Sequence, residues 1–306
     1  MKVRVGYGLG TGFFEPGAFA DLVDALEGTG FDSLWLSERL TGEALDPLVG
    51  LAVAAGRTRR LKLGTSVLVL PGRNPVMLAK ELATLDRLSG GRLLPAVGLG
   101  APEPAEHGAF GVHRRERAAI FDEALPLIRR LWLEDDVHHA GTYFRVDGVS
   151  LRPKPVQSPP DVWLGGRAPS ELRRIGRLGD GWLPSFCTPT EAEEGRAVVE
   201  KAAAEAGRAM DPEHWGALVI YTEGPLPDRL ARAMVARRPG TDPASVIGQG
   251  LDGLRARLEE FVAHGFSKLV VVPAGVGMAR QNAGSGSVDP AADVGRLAEA
   301  VLSIEN

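Results

Sequence analysis

Residues 162–182 read VWLGGRAPSELRRIGRLGDGW. An apolar run, Val162–Leu164, stops at Gly165 and Gly166. A helical pattern opens at Pro169, and a second strand starts at Gly181-Trp182. Strand, turn, helix and strand in so short a span form the repeating unit of a parallel α/β sheet. Two bare residues between a strand end and a helix start admit two readings. One is a tight turn. The other is a seat for an anion, because glycine lets the main chain approach it and the helix start offers unpaired N–H groups.

The same alternation extends in both directions. Strand candidates begin near Val3, Ser33, Lys62, Leu93, Asp161, Gly181, Gly216 and Lys268. Stretches with apolar residues at three- and four-residue spacing separate them, such as AFADLVDALEGTG and LRARLEEFVAHGF. Asp46-Pro47, Asn74-Pro75, Thr188-Pro189 and Asp289-Pro290 each set a capping side chain before a proline at a first helical position. Glu191 completes a capping box with Thr188. Gly30 and Gly207 follow last helical turns, and Pro126 inside IFDEALPLIRRLW predicts a kink or a late helix start.

Eight strand–helix pairs predict one closed (β/α)8 TIM barrel over residues 1–306, with insertions after strands four and seven. The insertions are Glu134–Pro160, a hairpin with a proline-rich crossing, and Thr222 to about Gly250, an extra helix and loop. Both are expected at the strands' C-terminal face. An open doubly wound sheet is the alternative fold. It wants GxGxxG after the first strand; Gly8, Gly10 and Gly12 do not fit, because the third glycine falls at Phe13.

Composition narrows the function. The net charge of −4 carries no basic bias, which argues against a nucleic-acid partner. Cys187 is the single cysteine, so neither an internal disulfide nor a cysteine zinc cluster can form. No apolar run reaches the roughly 18 residues that span a bilayer, and MKVRVGYG has no secretory core. A cytoplasmic protein with no membrane segment is expected. No His/Asp/Glu spacing matches a metal site.

Several stretches together resemble the luciferase-like monooxygenase superfamily: FDSLWLSERL, LGTSVLVLPGRNPVMLAKELATLDRLSGGRL, AVGLG, FDEALPLIRRLW, GTYFRVDGVSLRPKPVQSPPDVWLGG and RIGRLGDGWLP. They cover nearly the whole chain in order, and they are most similar to the branch that uses the deazaflavin coenzyme F420; a sibling branch uses FMN. The resemblance implies a (β/α)8 barrel, hydride transfer to or from a small-molecule substrate, and a homodimer. It implies that Gly165, Gly166 and Arg167 hold the cofactor phosphate. It implies a non-prolyl cis peptide at Ser66-Val67 under the ring, and it counts Gly98 of AVGLG among the cofactor-binding residues. Glu38 and Arg39 would shape the ring edge, with Glu38 the candidate catalytic group, and Tyr7 and Gly8 would line the pocket. Where the family commonly has Asp-His, this chain has Glu38-Arg39. Arginine is a permanent cation and cannot shuttle a proton near neutral pH.

Other polar residues have plainer readings. His107 and His113 follow strand four and are candidate acids or solvated loop residues. His138 and His139 are expected exposed, Asp122 and Glu123 a salt-bridging face, and Trp35, Trp163 and Trp182 barrel packing. Arg237 and Arg238 would meet an anion or pair in solvent. Two further functional readings stand beside the oxidoreductase: a non-catalytic ligand-binding relative, and a sugar-phosphate barrel enzyme using the glycines after strand eight.

Overall fold

The structure, a computed structural model, describes residues 1–10, 17–101, 103–274 and 290–305. In chain order the elements are β1 (Arg4–Leu9), α1 (Ala18–Thr29), β2 (Ser33–Leu36), α2 (Pro47–Arg57), β3 (Lys62–Thr65), β4 (Leu68–Val69), α3 (Pro75–Ser89), β5 (Leu93–Leu94) and β6 (Ala96–Gly98). Then come α4 (Pro104–Ala109), α5 (Arg117–Leu133), β7 (Val137–Ala140), β8 (Arg145–Val149), β9 (Trp163–Leu164), α6 (Pro169–Leu178), β10 (Gly181–Trp182) and α7 (Pro189–Glu205). The chain finishes with β11 (Gly216–Thr222), α8 (Asp228–Arg237), β12 (Ile247–Gln249), α9 (Gly250–Ala263), β13 (Lys268–Pro273) and α10 (Pro290–Val301).

The parallel strands form a ring in sequence order. β1 pairs with β2, β2 with β3, β3 with β5, β4 with β6, β6 with β9, and β9 with β10. β11 pairs with β13, and β13 returns to β1. The seam between β10 and β11 is closed by bridges Trp182–Trp215 and Ser185–Leu218. Here β3 with β4 is the third barrel strand and β5 with β6 the fourth. Where the third bends, the Thr65 hydroxyl spans the gap, donating to the Ala96 carbonyl at 2.6 Å and accepting from its N–H at 2.8 Å. This order excludes the doubly wound alternative, whose strand order reverses at a switch point.

Local signals act as expected. Asp46 accepts from the Val49 N–H, Asn74 from those of Val76 and Met77, and Thr188 from that of Glu191. Gly30 ends α1 at φ 93°. Asp289 lies outside the described residues. Helix α5 starts at Arg117 and runs through Pro126, flanked there by buried Leu125 and Leu127; tertiary packing outweighs the missing hydrogen bond.

The insertions part company. β12 pairs with Ile220–Thr222, the C-terminal half of β11, so the strand-seven insertion lies at the mouth. The β7–β8 hairpin follows α5, and the chain beyond it crosses the opposite end. The Val156 and Gln157 N–H groups donate to Asp86 near the end of α3, and the Gln157 side chain donates to the Leu93 carbonyl at the start of β5. The expectation that this segment lies at the C-terminal face is corrected: it follows the helix, not the strand, and a helix returns the chain to the strands' N-terminal end.

Side chains alternate about the barrel wall. Val5, Tyr7 and Leu9 pack outward in the main core with the helices. Trp35, Ala96, Trp163, Leu183 and Val270 fill the interior. The two indoles meet edge to face, 6.4 Å between centroids. They need bare neighbours: a Cβ on Gly64 would stand 2.3 Å from Trp35, and one on Gly181 2.4 Å from Trp163. Below them buried Lys268 pairs with Asp32, which also holds Lys62, and closes the N-terminal end. No helix among the described residues is long and apolar enough to cross a membrane.

Candidate active site at the barrel mouth

Above the indole layer the interior opens. Val67, Leu218 and Val272 rest on that layer but are only partly buried. They form an apolar floor exposed to the mouth. The Ser37 hydroxyl beside it lies 3.1 Å from both the carbonyl and the hydroxyl of Ser66.

The floor is built around the third strand. The Ser66-Val67 peptide is cis, as the resemblance implied. Val67 projects between two glycines of neighbouring strands. A Cβ on Gly98 would stand 2.6 Å from Val67 Cγ2, and one on Gly165 3.0 Å from Val67 Cγ1. Gly98 and Gly165 therefore admit Val67, a role the sequence reading did not give Gly165. Gly8 similarly gives room to Val270 and Val272.

At the strand-five turn Gly166 has φ 105°, a left-handed conformation that favours glycine. Its carbonyl accepts from the Trp182 indole at 2.9 Å. The Arg167 and Ala168 N–H groups both donate to Glu171, each at 2.9 Å. Half of the expected anion seat is thus occupied by the chain's own carboxylate. The sequence carried the signal, since Glu171 stands at the third helical position of α6, where a carboxylate reaches back to the helix start. The Gly166 N–H and the Arg167 guanidinium have no partner among the described residues. Arg167 stands close enough to Cys187 and Glu191, across the rim, to act on both electrostatically.

The end of strand two holds two carboxylate clamps. Glu38 has a side chain 2% exposed; it accepts from the Val69 N–H at 2.6 Å and pairs with Arg73. Burial raises its carboxyl above the ordinary value, against the pull of Arg73 and Val69. With both oxygens engaged inside the protein, Glu38 presents no surface to a ligand, and the expectation of a catalytic carboxylate there becomes one of a positioning residue. Arg39 reaches over the rim to Glu103, with two contacts of 3.3 Å. Glu106 accepts from the Leu40 and Thr41 N–H groups and the Thr41 hydroxyl, tying α4 to this loop. Sequence reading missed Arg73, Glu103 and Glu106, because their partners are remote in sequence.

Tyr7 is also corrected. Alternation along β1 turns it outward, 2% exposed and edge-on to Phe31 at 6.0 Å, while Gly6 and Gly8 face inward. Its buried hydroxyl titrates well above the usual range. Arg238 donates to the Phe186 carbonyl and to Glu191, so it braces the rim and is not solvated. Arg238 holds the Glu191 carboxyl down at about 2; burial pushes the Cys187 thiol up to about 12. The side chain of Arg237 lies outside the description. His107 is tied to the Ala101 carbonyl at 2.7 Å, and His113 is exposed. In the hairpin His138 is exposed, but His139 is half-buried against Glu123, which also accepts from the Thr142, Tyr143 and Phe144 N–H groups. Glu123 is therefore an internal anchor, whereas Asp122 pairs with Arg174 and Arg177 as a salt-bridging face. The glycines after strand eight, on which the sugar-phosphate reading rests, lie outside the described residues from 275 onward.

The mouth offers an apolar floor, a bare backbone notch and a cation unpaired among the described residues, with hydroxyls beside them. That combination fits a planar ring carrying an anionic arm. The family described as luciferase-like monooxygenase matches residues 1–262. An F420-dependent glucose-6-phosphate dehydrogenase of Kineococcus radiotolerans is 35% identical over 193 residues, 60% of this chain and 56% of the relative. An enzyme of the same name from Amycolatopsis mediterranei is 28% identical over 312 residues, covering 86% and 92%. The match thus spans less than two thirds of the first relative and most of the second. An F420-dependent secondary alcohol dehydrogenase in complex with an F420-acetone adduct shares the fold over the full length of both chains, with a TM-score of 0.81 at 19% identity.

Proposed function

Because the chain belongs to the luciferase-like monooxygenase family, we propose that it is an oxidoreductase that uses coenzyme F420 to exchange a hydride with a small organic substrate. The observation that carries this reading is the open apolar floor of Val67, Leu218 and Val272, with Val67 seated between Gly98 and Gly165. F420, when bound, supplies a hydride donor or acceptor. The protein supplies position and shielding. Val67 supports the ring from below. The Gly166 N–H and the Arg167 guanidinium hold phosphate, with charge-assisted bonds at the arginine. Arg39 keeps a fixed charge at the ring edge and moves no proton. Glu38 holds Val69 and Arg73, and through them the wall beside the floor.

Relatives bearing the glucose-6-phosphate dehydrogenase name support a phosphorylated sugar as the first substrate to assay. A homodimer in the cytoplasm belongs to the same reading. The deciding experiment is titration of the purified protein with F420 and, separately, FMN, followed by cofactor fluorescence and melting temperature. F420 should bind and stabilise the fold, and FMN should bind more weakly. Tight FMN binding without F420 binding would replace this reading with a flavin monooxygenase.

A further inference from the structure

Polarity is uneven around the mouth. Alternation along β2 turns Ser33 and Trp35 inward: the Trp35 indole donates to the Ser33 hydroxyl at 2.9 Å and fills the interior. Ser37, two residues on, faces the same way. In the third strand Gly64 lies against Trp35, and Ser66 comes two residues later. Both serines are half-buried, just above the indole layer. At that level strands one, four and five offer Gly8, Gly98 and Gly165, and strands seven and eight offer Leu218 and Val272. Ser185 follows Leu183 in strand six, across the ring. Strands two and three therefore give the floor one polar edge, facing the apolar wall of strand seven.

The hydrogen bonds at that edge are incomplete. The Ser37 hydroxyl, 3.1 Å from both the carbonyl and the hydroxyl of Ser66, has no further partner among the described residues, and neither has the Ser66 hydroxyl. The charged neighbours are committed elsewhere, Glu38 to Val69 and Arg73 and Arg39 to Glu103. A serine hydroxyl carries one proton and two lone pairs. Two arrangements follow. In the first, Ser37 donates to the Ser66 carbonyl and Ser66 donates to Ser37, so the Ser66 oxygen turns only lone pairs to the mouth. In the second, Ser37 donates to the Ser66 hydroxyl, and the Ser66 proton turns to the mouth. Rotation of two hydroxyls separates them, so the pair can accept from a ligand or donate to it.

Hydride exchange has a use for such a contact. As the substrate's C–H bond breaks, its electron pair forms the new bond to the ring carbon. A ring nitrogen takes up the proton that the substrate's oxidised group releases, and so changes from acceptor to donor. We propose that the Ser37–Ser66 pair hydrogen-bonds this edge of the ring in both oxidation states, donating to the oxidised form and accepting from the reduced one. The pair flanks Val67, the floor on which the ring rests, and so meets the ring before a substrate stacked above it. The hydroxyls reorient; they neither supply nor keep the proton. The proposal rests on the F420 reading and adds to it the residues that balance affinity between the two forms of the cofactor.

The test is anaerobic titration calorimetry of wild type, Ser66→Ala and Ser37→Ala with oxidised and with reduced F420, which needs no turnover. The readout is the ratio of the two affinities within one protein, which partial loss of folded material leaves unchanged. In Ser66→Ala the Ser37 proton stays on the carbonyl of position 66, and only lone pairs face the ring. Oxidised F420 should therefore bind roughly five- to tenfold more weakly, and the reduced form should change by less than about twofold. In Ser37→Ala the Ser66 hydroxyl still turns either way, so both forms should weaken alike and the ratio should hold. A wild-type ratio retained in Ser66→Ala, or a shift in Ser37→Ala instead, would overturn the proposal while leaving the F420 reading in place. An unchanged ratio with weaker binding of glucose 6-phosphate would assign the pair to the substrate and also overturn it. Failure of both F420 forms to bind wild type would overturn the F420 reading itself.

Discussion

Close contacts give single residues sharply different roles at the mouth. Gly64 and Gly98 are both bare because a neighbour fills the space of a side chain. Gly64→Ala should push its new methyl into Trp35, a rigid indole, and cost about 1–3 kcal/mol of stability. Urea unfolding checks this, and an unchanged midpoint would mean that the indole layer is looser than described. Glu38 tests the division between positioning and catalysis. Glu38→Gln removes one charge from a buried pair with Arg73 and should lower stability by roughly 1–3 kcal/mol, with activity per folded molecule retained. A hundredfold fall in kcat at normal stability would return Glu38 to the chemistry. Such contacts are not legible in sequence. Arg73 and Glu38 lie 35 positions apart, and only the fold sets them together.

Whole elements meet at the rim through charged braces. The start of α7 is capped by Thr188 and Glu191, and Glu191 is clamped by Arg238 beyond the end of α8. Glu191 is depressed from 4.5 to about 2 in the folded protein. A depressed carboxyl stabilises above its unfolded value and loses that contribution as pH falls through its folded value. The brace should therefore act fully above about pH 4.5 and fade toward pH 2. Arg238→Ala should lower the urea midpoint at pH 7 and flatten this part of the acid profile, because the depression goes with the arginine. An identical acid profile in variant and wild type would exclude the brace. The cap itself was readable, since Thr-Pro with Glu191 three residues past the cap is a local pattern. Its partner was not, because Arg238 is 47 positions away.

For the molecule as a whole, barrel closure is uneven. Long ladders join β1, β11 and β13, whereas β10 meets β11 only through two isolated bridges. Amides along that seam, including Leu218, should exchange with solvent faster than those in the centre of β1. Hydrogen-exchange mass spectrometry measures the difference, and uniform protection around the ring would refute it. Coenzyme at about a hundred times its Kd should raise stability by ~2.7 kcal/mol. If the ring lies across the floor, protection should rise at Val67 and Leu218 together.

The order of strands and helices, the caps and the barrel class followed from the sequence alone, because periodicity and capping are local and each element carries its own signal. So did the turn at Gly165-Gly166, though not its use. Only the tertiary structure showed Tyr7 facing the helices, Glu38 sealed against Arg73, Gly165 yielding space to Val67, and Glu171 occupying two of the turn's N–H groups. Those outcomes depend on which side chains from remote segments arrive at one place, and close packing between separate strands is a property that no short window of sequence contains.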